Sequence, residues 1–142
     1  MESVTNIEAI CSAVVDEAFH VHAEIGPGLL ESVYQKVLVA SLRKRGFEVE
    51  SEVPVSFECR GIRFESELRL DLLVNRSLIV ELKSVETTLP VHKKQLLTYL
   101  RLVGKPLGLL INFGAATFRE GCFRVVNGPV DRANSPLRVN HA

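Results

Sequence analysis

At 142 residues the chain has the length of one ordinary domain, enough for a single core and too short for a catalytic domain plus a separate DNA-reading one. Its 17 basic and 17 acidic residues balance to zero net charge, which excludes a strong global field drawing the molecule to nucleic acid. The three cysteines, Cys11, Cys59 and Cys122, are odd in number and lack metal-ligand spacing, so free thiols in a reducing, cytoplasmic compartment are expected, with no signal peptide and no membrane span.

In chain order, residues from Asn6 to His22 carry Ile7, Ile10, Ala13, Val14 and Ala18 at helical spacing. Gly26-Pro27-Gly28 breaks that run. A second helix is expected from Leu29 to Arg45, stopped by Gly46. Phe47 to Phe57 alternates loosely, as a strand does, and Cys59-Arg60-Gly61 forms a turn into a second strand, Ile62 to Val74. Asn75-Arg76-Ser77 then turns the chain into Leu78 to Lys83. Pro90 suits the first turn of a third helix, running to Val103. Leu107 to Phe113 and Cys122 to Val126 complete the strands, and residues 1–126 make one domain. From Asn127 the apolar content falls, and a flexible tail over 127–142 is expected. The order α-α-β-β-β-α-β-β implies an α/β or α+β domain, a mixed sheet with helices against it. The third helix is a crossover, so the strands on either side of it should run parallel.

The chemistry concentrates between Arg69 and Lys83, in RLDLLVNRSLIVELK. With Asn75-Arg76-Ser77 as the loop, Val74 faces Leu78 and counting back along the ladder sets Asp71 opposite Glu81. Opposed side chains on one face lie about 4.5–5.5 Å apart at Cβ, close enough for two carboxylates to share a cation. Lys83, two residues on, points to the same side as Glu81. Carboxylates bind hard divalent ions, and an adjacent ammonium can activate a water or hold a phosphate. The alternative is a plain charged hairpin in which the three side chains form a solvated salt bridge. Against it, the flanking Leu, Ile and Val make both strands read as buried, where unpaired charge is costly. Arg43-Lys44-Arg45, Arg60 with Arg63, and Lys93-Lys94 are local basic clusters, each either a solvated face or a phosphate contact. His20 and His22, two apart before a loop, read as structural.

Gly28-Leu-Leu-Glu31-Ser-Val-Tyr34 resembles the G-x-x-E-x-x-Y signature of the small GxxExxY proteins, grouped with the PD-(D/E)XK nuclease superfamily. The resemblance runs from about Ile7 to Val126 and takes in Arg-Leu-Asp71, Val80-Glu81-Leu82-Lys83 and Gln95-Leu-Leu-Thr-Tyr99. It implies a restriction-endonuclease-like αβββαβ core, here with an extra N-terminal helix. It also implies a Mg²⁺ or Mn²⁺ ion held by Asp71, Glu81, the Leu82 carbonyl and Glu31. Lys83 would orient or deprotonate the attacking water, and Gln95 would be an auxiliary polar residue. Leu70 stands where the superfamily name has Pro, which leaves the ligands untouched. For Glu31 the competing role is a first-turn acid favoured by the helix dipole. Tyr34 and Tyr99 suit core positions with a polar tip. The activity implied is hydrolysis of phosphodiester bonds in DNA, with RNA as second substrate. A homodimer would supply two sites for cutting both strands. The alternative function is a binding or assembly module that keeps the fold without turnover.

Overall fold

The computed structural model describes residues 6–128 and 139–141. Helix α1 (Ile7–Ile25) starts where the Asn6 side chain accepts from the N–H of Glu8 at 2.8 Å and of Ala9 at 3.4 Å, satisfying donors that have no partner inside the helix. It runs three residues past His22 and stops at Gly26, whose φ of 79° favours glycine. Helix α2 (Glu31–Lys44) buries Tyr34, Leu38 and Leu42 along one side.

The six strands are β1 (Val49–Cys59), β2 (Ile62–Val74), β3 (Leu78–Lys83), β4 (Leu107–Asn112), β5 (Cys122–Val126) and β6 (Val139–His141), paired in that order across one sheet. Every pairing is antiparallel except β3 with β4, which α3 (Pro90–Val103) joins as a crossover. The sheet is therefore mixed, and the parallel pair falls where the crossover argument put it.

Two cores form, one on each face. Leu72, Val74, Leu78, Val80 and Leu82 pack with α1 and α2. Ile79, Leu70 and Leu110 pack with Leu96, Leu97 and Leu100 of α3. A strand covered on both faces needs apolar residues at every position, which is why β3 and β4 read as continuous apolar runs.

Two short elements carried no periodic signal: the four-residue α4 (Phe118–Gly121) and the three-residue β6 on the β5 edge. Part of the segment expected to be a flexible tail belongs to the sheet. Asn127 also donates from its backbone to Pro106 and from its side chain to Lys105, and residues 129–138 and 142 lie outside the described residues. Among the described residues, no helix is long and apolar enough to cross a membrane.

Candidate active site

The hairpin has the register counted from its turn: Val74 faces Leu78, Leu73 faces Ile79 and Leu72 faces Val80. Asn75 and Arg76 both take positive φ, 49° and 55°, the geometry of a tight hairpin turn. One residue further the ladder changes character. The N–H of Asp71 donates to Glu81 Oε2 at 3.0 Å, and the N–H of Leu82 donates to Asp71 Oδ2 at 2.8 Å. Carboxylates take the positions that strand carbonyls would hold.

The other side of β2 is broken at the same point. Its pairing with β1 runs through Ser51–Leu72 and Val53–Leu70, skipping Glu52, which has a φ of 53°. Leu70 and Leu72, two residues apart, are buried in opposite cores. Regular alternation would put them on one face, so β2 rotates at Asp71. Alternation from Leu73 already sets Asp71 on the α3 side, which Glu81 and Lys83 share with Ile79, and the irregularity brings Leu70 to that side as well.

Glu81 is 7% exposed, and its carboxyl is pushed up to about 8, first by burial and then by the charge of Asp71. Burial also raises Asp71, against the stabilising Leu82 N–H, and Glu52 adds to the rise. The two carboxyls hydrogen-bond one another, which favours one proton held between them. Glu31, in the first turn of α2, is raised by burial and next by Asp71, with Lys83 opposing. Glu52 joins this acidic group. It was not foreseen, because a one-residue irregularity in a loosely alternating strand leaves no pattern to read.

Lys83 offsets the negative charge at Glu31, Asp71 and Glu81, yet it forms no ion pair among the described residues. The solvated salt bridge of a plain charged hairpin is therefore not what these residues make. Gln95 lies across a groove from Lys83, and its amide donates to Tyr99 Oη at 3.3 Å. Tyr99 is raised by burial and then by Glu81 and Asp71, so its phenol borders the acidic pair.

Tyr34 has a supporting task. Fully buried, it stacks on Phe113 with ring centroids 4.6 Å apart. Its hydroxyl donates to Gly26 O at 2.5 Å and accepts from Leu29 N–H at 3.1 Å. It ties down the loop that delivers Glu31. Asn112, a second residue the sequence left unmarked, does the same behind Lys83. Its Oδ1 accepts from the N–H groups of Val85 and Gly114, and its Nδ2 donates to Thr88 Oγ1, each at 3.0 Å. A Cβ at Gly114 would come within 2.3 Å of the Val85 carbonyl, so this loop closes only over glycine. The signal was a lone Asn ending an apolar strand. His22, buried, bonds the Ala115 carbonyl at 2.9 Å and is structural, as expected.

A family model described as the PD-(D/E)XK nuclease superfamily matches residues 8–125. The chain belongs to that superfamily. Its members generally use divalent metal ions. No curated protein matches the chain. A solved structure titled "Crystal structure of SSO0001" is similar at 22% identity and a TM-score of 0.44, covering 85% of this chain and 69% of that one, too slight a likeness to bear on the fold.

The residues fit a divalent cation by their chemistry. Asp71 and Glu81 are hard oxygen donors, largely buried, mutually repulsive and without a cationic partner at ion-pair distance among the described residues. Among the described residues, no three His, Cys, Asp or Glu side chains form a ready-made cluster, so two carboxylates are the protein's core contribution. Mg²⁺ suits such a set, because it keeps several waters and needs few protein ligands.

Proposed function

We propose that this domain is a divalent-metal-dependent nuclease that hydrolyses phosphodiester bonds, with DNA as first substrate and RNA as second. The observation that carries this reading is the Asp71–Glu81 pair: two largely buried carboxylates joined across a broken strand ladder, with Lys83 beside them and in no ion pair among the described residues. Asp71, Glu81 and the Leu82 carbonyl would hold Mg²⁺ or Mn²⁺, and Glu31 would complete the site from α2. When bound, such an ion neutralises charge developing on the phosphate and lowers the pKa of water. Lys83 is suited to orienting the attacking water or steadying the phosphate, since among the described residues no carboxylate lies at ion-pair distance from its ammonium. Gln95, hydrogen-bonded to Tyr99, is suited to positioning polar groups at the rim. The absence of a ready-made three-residue cluster among the described residues favours one second reading, a binding module that keeps the fold without turnover.

A cleavage assay on single- and double-stranded DNA and RNA, with Mg²⁺, Mn²⁺ or EDTA, separates the two. We expect metal-dependent cleavage that Asp71→Asn and Glu81→Gln abolish. Lys83→Ala should abolish it too while leaving the fold and metal binding nearly intact. Cleavage that survives EDTA would remove the metal, and tight binding without cleavage under every condition would favour the binding module.

A further inference from the structure

Helix α3 carries His92, Lys93, Lys94 and Arg101 and no acidic residue, in a chain whose net charge is zero. Three of these basic residues fall within the first five positions, where the partial positive charge of the helix N-terminus opposes them. Helix stability alone would select acids there. Lys93 is engaged with the Phe123 ring, 3.9 Å from its centroid. Lys94 is exposed and makes no ion pair among the described residues.

Lys94 lines an open groove of about 540 Å³ together with Lys83, His92, Gln95, Thr98 and Tyr99. Lys83 lies on the side of this groove that meets the acidic pair, and its charge reaches His92. Lys94, Thr98 and Arg101, at i, i+4 and i+7, continue along one exposed side of the helix. The groove therefore presents ammonium, hydroxyl and amide donors and no carboxylate among its lining residues, directly beside carboxylates suited to a cation. That polarity fits a polyanion which leaves the cation site and runs along α3.

Resting on the nuclease reading, we infer that the groove along α3 is the track for the nucleic-acid backbone, with Lys94 as its principal phosphate contact and Thr98 and Arg101 continuing it. These contacts are to phosphate and not to base edges, so they position the strand without reading sequence.

The test is binding without cleavage. Fluorescence anisotropy of labelled single-stranded and duplex oligonucleotides is followed in EDTA over a salt series. Lys94→Ala should weaken binding equally on unrelated sequences. It should flatten the slope of log K against log salt by about 0.7 on single strands or about 0.9 on duplex, as expected for one lost phosphate contact. Lys94→Arg should restore the slope, and Lys36→Ala on α2 should leave it unchanged. A Lys94→Ala titration that superimposes on the parent's overturns the track while leaving the nuclease reading standing. A parent protein that binds no oligonucleotide at low salt overturns the track, while cleavage with Mg²⁺ or Mn²⁺ decides the nuclease reading separately.

Discussion

Glu81 accepts the backbone N–H of Asp71 at 3.0 Å, so one acidic side chain closes the strand gap that the other opens. The arrangement keeps both carboxyls close and largely dry, and its cost falls on Glu81, held at about 8.

Stability without metal should therefore fall as pH rises. A folded-state pKa raised from 4.5 to about 8 means the native protein holds a proton that the unfolded chain releases. The associated stability is complete below the unfolded value and is lost as pH climbs through the folded one. In EDTA, the melting temperature should drop between pH 5 and pH 8, by the equivalent of a few kcal/mol at most. Glu81→Gln, which mimics the protonated acid, should flatten the profile. A wild-type melting temperature constant over that interval would contradict the pairing.

Metal should reverse the effect. An ion binding only the folded state contributes RT ln(1 + [L]/Kd), roughly 1.4 kcal/mol at ten times Kd. For a domain of this size that is about 3–6 °C. The ion must displace the shared proton, so the rise with Mn²⁺ or Mg²⁺ should be larger at pH 8 than at pH 6. Asp71→Asn should abolish most of it. Equal shifts in the wild type and this variant would assign the ion to another site.

The hairpin register was legible because a three-residue polar turn between apolar runs leaves little choice of pairing, and counting from it reached Asp71 and Glu81. The parallel pair followed from the crossover. Glu52, Asn112 and the break at Asp71 were not legible, since each depends on a backbone irregularity or a loop contact that no periodicity announces. The roles of α4 and β6 escaped for another reason: three or four residues are too few to show a period.

Glu31 separates two physical roles cleanly. Its burial and its coupling to Asp71 predict that Glu31→Gln raises the Mg²⁺ concentration for half-maximal cleavage. A residue serving only the helix dipole would change stability by about 0.3–1 kcal/mol and leave the metal midpoint alone. A metal titration of this variant beside its thermal melt decides the matter.

Tyr34→Phe should keep the ring stack on Phe113 and lose both hydroxyl hydrogen bonds. Leaving the Gly26 carbonyl and Leu29 N–H unpartnered should cost about 1–3 kcal/mol. Any loss of cleavage should follow the fraction unfolded and recover on cooling. A loss that persists in fully folded variant would make the phenol a participant in the chemistry.

Beyond Asp71, β2 pairs only with β1, whereas from Leu72 onward it is also joined to β3 and so to the rest of the sheet. The outer part of that hairpin exposes Ile62 and Phe64, and its stacked Phe57 and Phe64 rings join its own two strands. A two-stranded ribbon is only marginally stable by itself. Amide protons of the outer hairpin around Phe57 and Phe64, beyond Leu70, Val53 and Val55, which pack with α3, should exchange through local opening, while those of β3 and β4 should exchange only on global unfolding. Asp71 thus lies between a fast-exchanging segment and the slowest-exchanging core, and the nucleolytic chemistry proposed for this chain would be carried out between the two.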